Sequence, residues 1–190
     1  QLLLDPRDEG AEICEAYATG FLLAYRVDRV EALVSAWASD YPQDPLPHLI
    51  RARLARSFNG WKEAEAAYRR ALERDPDSDE AQHGLADSLL TQQRPEDALD
   101  WYLRVPAKSR HYVDARIGAA DCLVALGRSE EAAALLEEIG PGSNENPKLL
   151  LTQARIDLEA GQYAPAAEKL RRARTLQPLN DDILFALASA

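Results

Sequence analysis

The sequence of 190 residues lacks methionine altogether, contains only two cysteines, and has no long apolar run. Cys14 and Cys122 cannot form the disulfide scaffold of a small secreted domain, and two cysteines make a cysteine-based zinc site a poor hypothesis. No apolar stretch approaches the roughly 18 residues of a membrane helix, and no charged-then-apolar leader opens the sequence, so we expect no membrane partner. Because residue 1 is not methionine, we expect a processed chain or a piece of a longer protein.

Basic residues are also in short supply. The chain has 22 Lys and Arg against 32 Asp and Glu, which gives a formal net charge of −10. This balance disfavours a nucleic-acid partner, because a protein that follows a phosphate backbone needs a basic face. Hydrophobic residues make up 46% of the chain and charged residues 28%, a composition typical of a folded, soluble domain. Two thiols suit a reducing compartment slightly better than an exported setting, which slightly favours the cytoplasm.

Motifs for catalysis or cofactor binding are missing as well. His48, His83 and His111 are scattered, and no zinc-protease motif, nucleophile-elbow motif or phosphate-binding glycine pattern occurs. His83 and Asp87 lie four residues apart and Asp121 follows 34 residues after Asp87. A metal site, however, needs three or four converging ligands. We therefore expect no metal, no cofactor and no enzyme activity in this chain, and we expect both cysteines to lie on packed faces.

Residues of matching size recur every 34 positions along the chain. One alanine column comprises Ala18, Ala52, Ala86, Ala120, Ala154 and Ala188. A second comprises Ala64, Ala98, Ala132 and Ala166, and a bulky column comprises Val34, Tyr68, Tyr102, Leu136 and Leu170. Several chemically consistent columns in one register indicate an internal repeat. Small residues allow two helices to approach closely, and bulky residues fill the space beside them.

Each 34-residue repeat is predicted to form two amphipathic helices separated by a turn. In the second repeat Leu54 and Phe58 lie four residues apart, as on one face of a helix, and Asn59-Gly60 then signals a turn. A second apolar stripe begins at Ala64 and stops before Pro76. No segment shows the period-two alternation of a strand, so we predict an all-α fold.

The repeat resembles the tetratricopeptide repeat (TPR), a helix–turn–helix unit of the same length. Its best copy carries Ala52, Gly60-Trp61, Ala64, Tyr68, Ala71-Leu72 and Asp75-Pro76. The resemblance implies a right-handed superhelical solenoid of antiparallel helix pairs that forms one domain over residues 1–190. The repeats would span residues 11–44, 45–78, 79–112, 113–146 and 147–180, with the start of a sixth at 181–190.

Some positions depart from the TPR pattern. Pro106 should end the second helix of the third repeat early, and Gly140–Asn144 replaces a compact stop in the fourth. Residues 2–6 resemble the tail of a preceding repeat, so both ends look cut from a longer array. Apolar residues at these ends, Leu2–Leu4 and Ile183–Leu187, suggest possible self-association through open solenoid ends.

In the TPR family the first helix of each repeat lines a concave groove. The resemblance places ten residues there: Leu49, Arg53, Arg56, His83, Asp87, Ile117, Asp121, Leu151, Arg155 and Phe185. The first repeat offers Glu12, Glu15, Thr19 and Leu22 at the corresponding places, whereas Leu90, Val124 and Leu158 are expected to touch the neighbouring helix. The charges run basic, acidic and basic, which would complement a peptide of acidic–basic–acidic order.

Two functions follow from the resemblance. The leading one is a protein-interaction scaffold that binds a protein or peptide partner in the groove. The family's carboxylate clamp for chaperone C-termini is absent, because its positions carry Leu49, Arg53, His83 and Asp87. The alternative is a regulatory or docking arm of a larger enzyme whose catalytic domain lies outside this sequence.

Overall fold

The computed structural model describes residues 14–18, 20, 26–139 and 145–189. All regular structure within these ranges is helical. Residues 14–18 are helical, and ten further helices follow: α1 (Val27–Asp40), α2 (Leu46–Ser57), α3 (Trp61–Arg74), α4 (Asp79–Thr91), α5 (Pro95–Arg104), α6 (Tyr112–Ala125), α7 (Ser129–Glu137), α8 (Pro147–Glu159), α9 (Tyr163–Leu176) and α10 (Asp181–Ser189). The predicted all-α, repeat-based fold is confirmed.

The chain divides into two compact units, and the boundary lies between Gln93 and Arg94. In the N-terminal unit, α2 packs against α1 and α3, and α3 packs against α4. In the C-terminal unit, α5 to α10 pack consecutively, and α6 also contacts α8. The boundary falls inside the repeat predicted over residues 79–112, so the prediction of one domain over 1–190 stays a prediction.

The two alanine columns lie at the helix contacts. Eight of these residues are completely buried: Ala52, Ala64, Ala86, Ala98, Ala120, Ala132, Ala154 and Ala166. An alanine side chain ends at Cβ, so helix axes can approach closely at these points without leaving a void. The expected role of the small residues is therefore confirmed, and the 34-residue period is a packing period. Cys14 and Cys122 are buried too, as predicted.

The tyrosines of the bulky column need glycines opposite their rings, and these glycines were not predicted. Tyr68 is completely buried, and a Cβ atom added at Gly84 would lie 2.2 Å from its Cζ atom. In the C-terminal unit a Cβ atom at Gly118 would lie 2.5 Å from Cζ of Tyr102. Each tyrosine ring therefore occupies the space that a side chain would need in the first helix of the next repeat.

The size of the side chain at the glycine position compensates for the size of its partner. Each pair is separated by 16 residues, as in Tyr68 and Gly84. Where the bulky column carries the smaller Val34, the partner is Ile50, and both belong to one core cluster. Ala186 likewise packs against the cluster that contains Leu170. A larger residue on one side is matched by a smaller one on the other, which keeps the core filled at these contacts.

Helix ends follow the local sequence. The side chain of Ser78 accepts a hydrogen bond from the Ala81 backbone N–H at the start of α4. After α2, α4, α6 and α8 one residue has a left-handed backbone, and these residues are again 34 apart: Asn59, Gln93, Gly127 and Gly161. The helix α5 ends at Arg104, two residues before Pro106, which confirms its predicted early end. The predicted features at residues 2–6, 11–13 and 140–144 lie outside the described residues.

Candidate partner-binding surface

In the N-terminal unit, Arg53 of α2 is held by two carboxylates. Its Nε and Nη2 atoms donate to Oε1 and Oε2 of Glu80 at 2.5 and 2.7 Å, and Nη1 donates to Oε1 of Glu15 at 2.8 Å. The hydrogen bonds from Arg53 to Glu80 are the main reason that the pKa of Arg53 is raised. A ligand carboxylate at Arg53 would therefore have to compete with two partners already in place.

A second cluster in the same unit centres on Asp87. Its Oδ2 atom lies 3.3 Å from Nη2 of Arg56, and its Oδ1 atom lies 3.7 Å from Nε2 of His83. Nη1 of Arg56 also donates to the hydroxyl oxygen of Tyr68 at 3.3 Å. Burial is the main cause of the raised pKa of that hydroxyl group. Four of the predicted groove residues of this unit thus pair within the chain.

The fifth predicted groove residue of this unit, Leu49, is only 5% exposed. In the C-terminal unit Ile117, at the same repeat position, is 3% exposed. Both side chains pack inward and offer little surface to a ligand. Among the residues expected to touch a neighbouring helix, Val124 is buried, and Leu158 packs against the cluster around Ala154.

The C-terminal unit carries its own charged cluster around Asp121 of α6. Oδ1 of Asp121 accepts hydrogen bonds from Nη1 of Arg155 and from Oγ1 of Thr152, both at 3.0 Å. Burial nevertheless raises the pKa of Asp121, and the negative charge of Asp182 adds to that shift, whereas Arg155, Thr152 and Lys148 oppose it.

Several side chains on the first helices of the C-terminal unit are exposed to solvent. Phe185 of α10 is 77% exposed, and the side chains of Lys148 and Arg155 are 70% and 45% exposed. Phe185 follows Asp182 by three residues, so both lie on one face of α10. The exposed aromatic ring therefore lies on the face of α10 that carries Asp182. Leu151 is partly buried and packs against the cores on both sides of α8.

Models of the tetratricopeptide repeat match residues 51–112 and 107–156 of this chain. The two matches together cover more than half of the sequence and overlap by a few residues. The chain belongs to the tetratricopeptide repeat family. The family generally mediates protein–protein interaction, and its members are typically non-catalytic.

Solved TPR structures share the fold. PilW, a type IV pilus biogenesis factor, aligns over 97% of this chain and 89% of its own, with 19% identity and a TM-score of 0.79. PilF of Pseudomonas aeruginosa aligns over 97% and 86%, with 18% identity and a TM-score of 0.79. YrrB, a TPR protein with an unusual peptide-binding site, aligns over 90% and 88%, with 17% identity and a TM-score of 0.73. No curated protein sequence matches this chain.

Two residues that bind predicted groove residues were not themselves predicted. Glu80 and Thr152 bind Arg53 and Asp121, respectively, yet neither was predicted as a surface residue. Both lie on first helices, within a turn of a predicted groove position, and this is the signal that could have identified them. The predicted first-repeat residues Glu12, Thr19 and Leu22 lie outside the described residues.

Metal ligands and membrane-spanning helices are not found in the described part of the chain. Across the described ranges, no three His, Cys, Asp or Glu side chains converge as metal ligands. His83 approaches Asp87, which also pairs with Arg56. None of the helices placed by the structure combines the length and apolarity that crossing a membrane requires.

The apolar end of the chain is partly packed. Ile183 of α10 is buried with Leu150 and Ala173, and Leu187 packs against the same cluster. Leu184 and Phe185 stay exposed. Self-association through this end stays a prediction, and fewer apolar side chains are available for it than the sequence indicated.

Proposed function

We propose that this TPR chain is a non-catalytic interaction module whose C-terminal unit binds a partner peptide. The binding surface is formed by Lys148 and Arg155 of α8 and Phe185 of α10. The observation that carries the proposal is the 77% exposure of Phe185. Burying a phenylalanine side chain contributes about 1.5–3 kcal/mol, which makes this ring a suitable anchor for an apolar residue of the partner.

The exposed cations of the same unit indicate the chemistry of the partner. Arg155 makes one hydrogen bond to Asp121 and keeps much of its guanidinium group accessible, and Lys148 lies 3.9 Å from Asp114. A partner carboxylate can bind these cations without entering the core. An apolar residue flanked by acidic residues is therefore the preferred ligand.

The N-terminal unit contributes less to this activity. Arg53 is clamped by two glutamates, and Leu49 is buried at the repeat position that Phe185 occupies in the C-terminal unit. Binding there would require breaking several charged hydrogen bonds before any new bond could form. We assign the N-terminal unit a supporting role.

Selection of a displayed peptide library against the full chain tests the proposal. Selected peptides should contain an apolar residue beside Asp or Glu, and calorimetry should measure their affinity. Phe185→Ala and Arg155→Glu should each weaken binding by about tenfold or more, because each removes a contact worth about 1.4 kcal/mol or more. Tyr163→Ala provides the control, since Tyr163 is a 60% exposed aromatic residue on α9.

The controls separate this surface from others on the chain. Tyr163→Ala and Arg53→Glu should leave the affinity within about twofold of the parent, provided circular dichroism shows that each variant is folded. Equal loss of binding in Tyr163→Ala, or full affinity in both Phe185→Ala and Arg155→Glu, would show that the partner binds elsewhere.

A further inference from the structure

A cleft of about 440 Å³ opens between α1, α2 and α3 of the N-terminal unit. Its lining includes His48, Arg51, Leu54, Glu63, Ala66 and Arg70. On α2, His48, Arg51 and Ala55 lie on the face opposite to Leu49 and Arg53, because successive helix residues are rotated by about 100°. The cleft is therefore separate from the groove predicted from the TPR pattern.

The cleft has an apolar floor between two differently charged ends. Helices α2 and α3 are joined by a three-residue turn and pack side by side, so they run antiparallel. Glu63 lies near that turn, whereas Arg70 lies two helical turns further along α3 and faces the beginning of α2. The floor between them is formed by Leu54, Ala66 and their neighbours.

At the end of the cleft at His48, the cations Arg51, Arg70 and Arg74 outnumber the carboxylates Glu31 and Glu73. Burial is the largest cause of the lowered pKa of His48, and the charges of Arg51, Arg74 and Arg70 lower it further, against an opposing effect of Glu73. These arginines lie close enough to act on the imidazole ring through their charge. An anionic group would be attracted to this end of the cleft.

One cation at this end is available to a ligand. Arg70 is exposed, and no ion pair or side-chain hydrogen bond joins its guanidinium group to another described residue. Nδ1 of His48 is buried and has no hydrogen-bond partner within the described part of the chain. Arg51 donates to Oγ of Ser35 at 2.8 Å, and its Nε atom lies 3.6 Å from Oε2 of Glu31, which leaves a loose pair. A buried polar atom without a partner is unusual in a folded protein.

We propose that this cleft is a second peptide-binding site, which accepts an apolar side chain followed by a carboxylate. The apolar side chain packs on Leu54, Ala66 and Ala67. The carboxylate pairs with the exposed guanidinium group of Arg70, at the end of the cleft that His48 lines. Charge complementarity fixes the direction of the peptide, because the opposite end of the cleft carries Glu63.

A titration followed by nuclear magnetic resonance tests the site with a defined probe. N-acetyl-Leu-Glu-amide is added to the full chain, and the ring resonances of His48 are recorded. A saturable shift is expected with this peptide, and a much smaller one with N-acetyl-Leu-Gln-amide, which lacks the charge. Equal shifts with both peptides would overturn the proposal.

Variants locate the site. Arg70→Gln should lower the affinity for the probe by about threefold to tenfold, because it removes the cation that pairs with the carboxylate. Arg69→Gln is the matched control, since Arg69 is the adjacent residue and pairs with Glu65 on the same helix. Ala66→Leu should abolish binding by filling the floor of the cleft. Equal affinities of Arg70→Gln and Arg69→Gln would contradict the site.

Two further measurements distinguish peptide binding in this cleft from general anion attraction and from binding at Phe185. Inorganic phosphate that shifts His48 as strongly as the peptide would overturn the assignment to a peptide and indicate general anion attraction. Phe185→Ala should leave the titration unchanged, because the cleft lies in the N-terminal unit. Failure of the cleft proposal would therefore be distinguishable from failure of the proposed function.

Discussion

The same repeat positions have opposite properties in the two units of this protein. Leu49 is buried in the N-terminal unit, whereas Phe185, four repeats later, is among the most exposed large side chains. Arg53 is held by two carboxylates, whereas Arg155 makes one hydrogen bond to a carboxylate. The repeat determines where a residue lies on the backbone. The neighbouring helices determine whether that residue is available to a partner.

The largest expected contrast concerns Leu49 and Phe185. Leu49→Ala should lower the free energy of unfolding by about 2–5 kcal/mol, because it leaves a cavity in a packed core. Phe185→Ala should change it by less than about 0.5 kcal/mol, because that ring is largely in solvent. Urea unfolding of the full chain measures both changes. Similar losses in the two variants would mean that Phe185 is a core residue and would remove the proposed anchor.

The second prediction concerns the contact between a tyrosine ring and a glycine, which occurs in both units. Gly84→Ala and Gly118→Ala should each destabilise the chain by about 1–3 kcal/mol, since the new methyl group collides with a buried tyrosine ring. Gly84→Ala should cost less when Tyr68→Leu is also present, because the shorter side chain leaves room. Additive effects of these two substitutions in a double-mutant cycle would contradict the proposed contact.

A third comparison concerns the two groove arginines. Arg53→Ala should cost about 1–3 kcal/mol, because it leaves two partly buried carboxylates without their charged hydrogen-bond donor. Arg155→Ala should cost less, because the guanidinium group is more exposed and makes a single hydrogen bond to Asp121. Thermal unfolding of both variants at low salt measures the order. A larger loss of stability for Arg155→Ala than for Arg53→Ala would contradict the view that Arg53 is the more tightly bound of the two.

The smallest expected effect is the pH-dependent difference in melting temperature between Asp121→Asn and the parent. Because folding raises the pKa of Asp121 above its unfolded value of 3.8, the folded chain holds this proton more tightly. The resulting stabilisation is present below the unfolded pKa and is lost as the pH rises through the folded pKa. Asp121→Asn should therefore have a slightly higher melting temperature than the parent at pH 7. The difference should vanish towards pH 3, and a constant difference would contradict the raised pKa.

The fold could be predicted from the sequence because its signals are local and repeated. Alanine at the helix contacts, proline after the second helices and turn residues between the helices occur at fixed intervals. Pro106 even predicted the short α5. The spacing of 16 residues between Tyr68 and Gly84 is visible in the sequence, but only the structure shows that the tyrosine ring contacts the glycine.

The candidate surface was predictable only in part. The repeat register placed Arg53, Asp87, Asp121 and Arg155 on first helices, where the structure has them. Their partners were not predicted, because Glu80 and Thr152 reach them from a neighbouring repeat rather than from the same helix. The cleft at His48 was not predicted either, since it depends on how three helices leave a gap between them.

The sequence by itself determined the period, the positions of the turns and the identity of the small residues at the helix contacts, because these depend on interactions within a turn or between adjacent helices. Only the tertiary structure decided which charges are already paired and which apolar side chains remain exposed. Both properties depend on side chains that meet from different repeats. The exposure of Phe185 and the burial of Leu49 show that one repeat position can take either role.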